Sequence, residues 1–284
     1  MQNKELMITL WNHCNNRCFF CYNRGYYHFP IDLKKHLNDC LNLLKSDVIK
    51  EYTNIRLVGG ELFDGFIDKC DIKNEFEEIL CELETLIIKN TIEKINIVTN
   101  LMYTDRKTLC DVLNRFDSKI TLSTSYDMFG RFNDDLIENV WWQNIEYLQK
   151  NYPDLKVDIG INITEPFIQN VNKEWLDSFK QRLIKYSINF NELFTGIDNE
   201  SKENCSFKEY FPKRKDFILF LQKLKEWNYF NYIIGTKDIK LMHYVFDKTG
   251  IAIIKDTSSI SNQGYIDSNV CMQEDIKRIA NADW

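Results

Sequence analysis

No apolar run in this 284-residue sequence reaches the roughly 18 residues that a membrane-spanning helix needs. Its start, Met1 to Leu6, lacks a basic stretch leading into a long apolar run and lacks a small-residue cleavage site, which argues against a signal peptide. Positive charge is in short supply: 36 Lys and Arg stand against 42 Asp and Glu, for a formal net charge of −6. Phosphate affinity is electrostatic, so this balance excludes a nonspecific nucleic-acid binder. The basic stretch Lys213-Arg214-Lys215 reads as solvated surface. Low-complexity segments, obvious flexible linkers and internal repeats beyond a strand–helix alternation are all missing. The expectation is a soluble cytoplasmic protein with neither membrane nor nucleic acid among its partners.

Bulky apolar side chains are plentiful. Apolar residues make up 44% of the chain, with 19 Phe, 14 Tyr and 6 Trp, enough to fill a sizeable core and exclude disorder. The length suits one large domain, or one domain with an appendage. Nine cysteines is a high and odd count. In a reducing compartment it points to metal or redox chemistry rather than to a disulfide framework.

Apolar, β-rich runs alternate with stretches of 3.6-residue periodicity. The runs are 6–11, 54–58, 94–100, 119–125, 156–164 and, less sharply, 188–194. Helical faces are marked by Phe76, Ile79, Leu80, Leu83 and Ile87, and again by Leu109, Val112, Leu113 and Phe116. Asn74 with Glu77 resembles a capping box, and Thr104 or Asp105 is placed to cap the next helix. Strands alternating with helices predict a parallel sheet of about six βα units. The fold class expected is therefore α/β, a partial (β/α)6 TIM-like barrel, two units short of the closed form, over residues 1–197. Residues 198–284 form a small C-terminal α+β extension. It holds a polar stretch at 198–204, a helix over 214–227, a hairpin turn at 247–250 between two apolar runs, and a short helical pattern near 272–280.

The most informative segment is Trp11-Asn12-His13-Cys14-Asn15-Asn16-Arg17-Cys18-Phe19-Phe20-Cys21-Tyr22, directly after the first strand. In a parallel α/β fold that is the carboxyl end of the strand, where active sites collect. Thiolates are the usual ligands of iron–sulfur clusters, and a cubane has four irons. Three local thiolates leave one iron without a protein ligand, the open position a catalytic metal site needs. The competing reading is a structural zinc site built from the same cysteines plus His13. Adjacent His13 and Cys14 would strain a shared tetrahedral site. Cys40, Cys70, Cys81 and Cys110 read as buried or helix-packing cysteines.

The triplet C-x3-C-x2-C, with Phe20 beside Cys21, resembles the C-x3-C-x-aromatic-C hallmark of the radical S-adenosylmethionine (SAM) superfamily. The resemblance implies a 4Fe–4S cluster on Cys14, Cys18 and Cys21. Its fourth iron would bind the amino and carboxylate groups of SAM, and the reduced cluster would cleave SAM to a 5′-deoxyadenosyl radical. Phe20 would lie near the adenine. Further likenesses fall at the following strand ends. Gly59-Gly60-Glu61 matches the family's GGE, whose backbone and Glu contact the SAM amino group. Thr99-Asn100 resembles its T-N-G, although Leu101 replaces the glycine. Ser125-Tyr126-Asp127 resembles the S-x-D of the peptide- and protein-modifying branches. These last two sets imply contacts to the SAM carboxylate or ribose. On the fifth strand, Asn162 would lie beside the sugar and Ile163 against the adenine. Taken singly, each reads as an ordinary strand terminus, because Gly, Thr, Asn, Ser and Asp commonly end strands. Their joint order along strands one to four carries the resemblance, which covers about two thirds of the chain.

The resemblance also sets expectations for substrate and partners. Only Cys205 and Cys271 lie beyond residue 197, too few for an extension that binds auxiliary clusters, so a single cluster is expected. The strand pattern already begins at Leu6, which predicts no leader-peptide recognition domain ahead of it. Substrate recognition is assigned to residues 198–284, with Cys271 and then Cys205 as candidate hydrogen donors. The activity expected is hydrogen abstraction from a peptide or protein, with a nucleotide or other small metabolite as the alternative substrate. An electron donor such as flavodoxin or ferredoxin is the implied partner. The alternative from another class is a noncatalytic zinc-stabilised α/β binding protein.

Overall fold

The structure is a computed structural model that describes residues 5–18, 21, 32–132, 135–186, 190–195 (backbone only), 212–233, 278–279 and 281–282. Six strands carry the fold: β1 (Glu5–Thr9), β2 (Asn54–Val58), β3 (Lys94–Val98), β4 (Ile120–Ser125), β5 (Lys156–Ile163) and β6 (Phe190–Thr195). They form one sheet in sequential order, every neighbouring pair parallel, with β1 and β6 at its edges. Between them run the helices α1 (Leu33–Lys45), α2 (Phe66–Lys69), α3 (Lys73–Ile88), α4 (Lys107–Phe116), α5 (Asp135–Asn151), α6 (Glu165–Asn170) and α7 (Lys173–Lys185). Two more, α8 (Arg214–Glu226) and α9 (Phe230–Ile233), follow β6. The α/β class and the parallel sheet expected from sequence are present.

Crossovers that always advance to the next strand, with one handedness, place the connecting helices on a single face of the sheet. The register shows what that demands of the sequence. On one face, Leu6, Ile55, Ile95 and Ile120 lie side by side, and above them Ile8, Leu57, Ile97, Leu122 and Val157; all are buried. The opposite face starts as Met7, Arg56, Asn96 and Thr121 and continues as Thr9, Val58, Val98, Ser123 and Asp158. Apart from a small apolar patch of Met7, Val58 and Val98, it is polar. Asn96 ties it together by donating to Thr121 Oγ1 and Ser123 Oγ, both at 2.9 Å. A fully packed barrel interior is lined by branched apolar side chains. This face departs from that pattern.

The helices bury most of the faces their spacing predicts: Phe76, Ile79, Leu80 and Leu83 on α3, where Leu86 is buried and the expected Ile87 only partly so, and Leu109, Val112, Leu113 and Phe116 on α4. The expected capping box is not formed. The helix α3 starts at Lys73 with Ile72 as its N-cap and no side-chain cap, so Asn74 already lies in the first turn. Neither Thr104 nor Asp105 is the N-cap of α4, which is Arg106 with no side-chain cap; Asp105 accepts from the Lys107 amide at 2.9 Å in the turn that leads into the helix. In the stretch expected to be an extension, Phe217, Phe220, Leu221 and Leu224 of α8 join the main apolar core, with Phe220 edge-on to Phe167 at 5.9 Å. The polar stretch, the hairpin, Cys205 and Cys271 lie outside the described residues. No helix among the described residues is long and apolar enough to cross a membrane.

Candidate functional site

The segment after β1 continues alongside the end of β2 instead of leaving it. Leu10 N donates to Val58 O at 2.9 Å, Gly60 N to Trp11 O at 2.8 Å and Glu61 N to His13 O at 2.8 Å. The Trp11 indole adds a bond to Glu61 O at 2.8 Å. This pairing explains Gly60: a Cβ there would sit 1.9 Å from His13 O. Only glycine lets the two backbones approach so closely. The cysteine loop is thus anchored to Gly59-Gly60-Glu61 by main-chain bonds.

Two side-chain amides anchor it further. Asn15 Nδ2 donates to Met102 O at 2.7 Å and its Oδ1 accepts from Asn100 Nδ2 at 2.8 Å, which fastens the loop to the end of β3. Asn16 Nδ2 donates to Arg131 O at 3.2 Å, in the segment after β4. Donors also converge on the sulfur atoms. Asn16 N lies 3.4 Å and Asn100 Nδ2 3.5 Å from Cys14 Sγ, and Asn16 Nδ2 lies 3.4 Å from Cys18 Sγ. Cys21 N donates to Cys18 O at 3.1 Å.

Glu61 is fully buried and its carboxylate faces four donors. Oε1 accepts from Leu62 N at 3.0 Å, Phe63 N at 3.1 Å and Thr99 Oγ1 at 2.8 Å, while Oε2 accepts from Asn100 N at 2.5 Å. Burial outweighs these donors and pushes the carboxyl up from 4.5 to about 7. The turn it holds is unusual. Leu101 takes a left-handed φ of 55°, a conformation that favours glycine. Its carbonyl and that of Tyr103 both accept from Asn144 Nδ2 of α5 at 2.8 Å.

At the ends of β4 and β5 lies a second polar group. Ser125 Oγ donates to Asp127 Oδ2 at 2.7 Å, and Arg131 Nε reaches the same oxygen at 3.1 Å. Asp127 Oδ1 accepts from both Asn162 N at 2.7 Å and Asn162 Nδ2 at 3.1 Å. Burial opposes the charge on Arg131, and the Asp127 carboxylate against it favours that charge.

Of the residues singled out from sequence, Cys14, Cys18, Gly60, Glu61, Thr99, Asn100, Ser125, Asp127 and Asn162 lie in these two connected networks; Gly59 precedes Gly60 at the end of β2, and Cys21 joins through its amide on Cys18 O. Ile163 does not: it is buried in the helix-side core, on the same strand side as Ile159 and Ile161. Phe20 lies outside the described residues. Arg131, Asn15, Asn16 and Asn144 were not legible as site residues. The four-residue spacing from Asp127 to Arg131 is the one local signal that pointed to any of them. The other cysteines divide: Cys40 is buried, Cys110 is half-buried, and Cys70 and Cys81 are exposed rather than packed. Cys70 lies just past α2, at its C-cap, and Cys81 lies on the outer side of α3, where Arg115 donates to its sulfur at 3.0 Å.

The donor set fits an iron–sulfur cluster. Burial pushes the Cys14 thiol up to about 12 and the Cys18 thiol up to about 11, with Arg131 drawing Cys18 down. Such thiols stay protonated until a positive metal centre replaces the proton. Once ionised, they meet the donors of Asn16 and Asn100 and the charge of Arg131. Among the described residues no three His, Cys, Asp or Glu side chains meet closely enough to hold one metal ion. A cubane takes each thiolate at a different iron and needs no such meeting point. His13 does not serve the zinc alternative: its ring stacks on Phe66 at 4.0 Å, and Nε2 faces Asp64 at 3.4 Å.

No family model matches the sequence. No curated protein matches it. Among solved structures, the chain is similar to the FeFe-hydrogenase maturase HydG from Carboxydothermus hydrogenoformans, with 16% sequence identity and a TM-score of 0.43. The match covers 80% of this chain and 52% of that one, so this chain spans about half its length. A likeness so distant adds nothing to what the residues above carry.

Proposed function

We propose that the chain is a radical SAM enzyme: Cys14, Cys18 and Cys21 hold a 4Fe–4S cluster, SAM lies across the strand ends, and hydrogen is abstracted from a peptide or protein. One observation supports this most. The cysteine loop is bonded to the ends of β2 and β3 and to the segment after β4, so the Cys14 and Cys18 thiols, Gly60, Asn100 and Arg131 form one unit. When bound, the cluster supplies the electron for SAM cleavage and an open iron to receive the cofactor.

The chain's own residues bind, orient and exclude water. Gly60 and Glu61 set the distance between the cysteine loop and β2 through their main-chain bonds. Ser125, Asp127, Arg131 and Asn162 present hydroxyl, carboxylate, guanidinium and amide groups suited to a ribose diol and a carboxylate. Thr99, Asn100, Ser125 and Asp127 are all buried, which strengthens such contacts by lowering the local dielectric. The choice of a peptide or protein substrate rests on Ser125-Tyr126-Asp127 alone. An electron donor such as flavodoxin or ferredoxin completes the scheme. Metal analysis of anaerobically purified protein tests the proposal: iron with acid-labile sulfide supports it, and stoichiometric zinc without iron refutes it.

A further inference from the structure

Resting on the cluster assignment above, the geometry points to Asn16 and Asn100 as residues that tune the cluster's reduction potential through N–H···S bonds to its cysteine ligands. The orientation of both amides follows from their other bonds. Asn100 Oδ1 accepts from Met102 N at 2.7 Å, so that end is the oxygen and Nδ2 must face Cys14 Sγ and Asn15 Oδ1. Asn16 Oδ1 accepts from Arg17 N at 2.8 Å, which turns Nδ2 toward Arg131 O and Cys18 Sγ. Neither assignment depends on the sulfur contact it explains. A third donor, Asn16 N, reaches Cys14 Sγ at 3.4 Å from the main chain, where no side-chain substitution removes it.

Both positions are also fixed by bonds to protein groups. Asn100 is 5% exposed and its backbone N–H is held by Glu61 Oε2. Asn16 is pinned to the segment after β4 through Arg131 O. Reduction adds negative charge that is shared with the cysteine sulfurs. Fixed dipoles whose positive ends face those sulfurs stabilise the reduced state more than the oxidised one. These two amides therefore raise the potential, and Asn100 also couples it to the β2–β3 latch formed by Glu61.

The test is redox titration of the anaerobically reconstituted protein without SAM, followed by electron paramagnetic resonance, for the parent and for Asn16→Asp, Asn100→Asp and the double variant. Each Asp keeps the shape and replaces the N–H donor with an acceptor but also adds a negative charge, so the neutral, donor-free Asn16→Leu and Asn100→Leu are titrated beside them and must shift in the same direction. The expected result is parent-like iron content with the midpoint shifted to more negative potential in each single variant, and further in the double. Midpoints equal to the parent's would overturn the inference while leaving the cluster assignment intact. A parent that binds no cluster would overturn both. Should the variants fail to hold iron, parent protein labelled with nitrogen-15 at the asparagine side-chain amide alone, which leaves the Asn16 main-chain donor unlabelled, decides the matter. Pulsed resonance of the reduced cluster then shows nitrogen coupling, and its absence refutes the inference.

Discussion

Thr99 donates its hydroxyl proton to Glu61 at 2.8 Å, joining the end of β3 to the end of β2 inside the protein. The same carboxylate receives the amides of Leu62, Phe63 and Asn100, so it acts as a latch between two strand-end turns. Its chemistry carries a pH dependence. A carboxyl whose native pKa is raised contributes stability that is fully present below its unfolded pKa and is lost as pH rises through the native value. For Glu61 that window runs from 4.5 to about 7. Each tenfold difference in proton affinity between the native and unfolded chain corresponds to about 1.4 kcal/mol. Urea midpoints measured across this window should fall with pH in the parent more steeply than in Glu61→Gln. Parallel slopes would show that Glu61 does not set the pH dependence of stability.

The two glycines before Glu61 should behave differently. In Gly60→Ala the new methyl meets His13 O and Asn12 O, which belong to backbone and cannot step aside. A loss of roughly 1–3 kcal/mol or more is expected, together with poor iron retention, because the cysteine loop is what must move. In Gly59→Ala the nearest atom is Leu62 Cδ2 at 2.7 Å, the end of a flexible side chain. That variant should lose less. Denaturant midpoints for the pair settle the order, and equal losses would contradict the close-approach argument.

Leu101 combines a left-handed φ of 55° with a fully buried side chain. Changing it to glycine relieves strain of about 1–2 kcal/mol but removes a core leucine worth about 2–5 kcal/mol. The net effect of Leu101→Gly should be destabilising. A thermal midpoint above the parent's would show that strain, not packing, dominates at this position.

Asn144 sits at 0% exposure and satisfies two carbonyls of the same turn. Asn144→Leu keeps the volume and strands both acceptors, at roughly 1–3 kcal/mol for each. Amide exchange in residues 99–104 should speed up well beyond the change seen in β5. Uniform acceleration across the sheet would mean that Asn144 acts on global stability alone.

The strands were legible because Ile, Val and Leu recur in short runs between clear helical periods, and the register then confirms a continuous apolar row. The N-terminus of α3 was not, since Asn74 and Glu77 suit a capping box in sequence while the chain enters the helix two residues earlier, with Ile72 as N-cap and Lys73 as the first helical residue. Within the site, the cysteines, glycines and strand-end polar residues were visible as local motifs. Asn15, Asn16 and Asn144 were not, because the bonds that fix them run to Met102, Arg131 and Arg106, 38 or more positions away, and Arg131 offered only its four-residue spacing from Asp127. The position of Leu101 is a middle case. The motif gives its place in the turn, but nothing in a leucine announces a positive φ.

The cluster assignment is tested most directly by reducing the anaerobically reconstituted protein in the presence of SAM and measuring 5′-deoxyadenosine. Parent and a variant with Cys14, Cys18 and Cys21 all changed to Ala are compared, with iron and sulfide measured on the same samples. The parent should hold iron and sulfide and release 5′-deoxyadenosine slowly even without substrate, while the triple variant does neither. A triple variant that retains iron and cleaves SAM at the parent's rate would contradict the assignment of these three thiols.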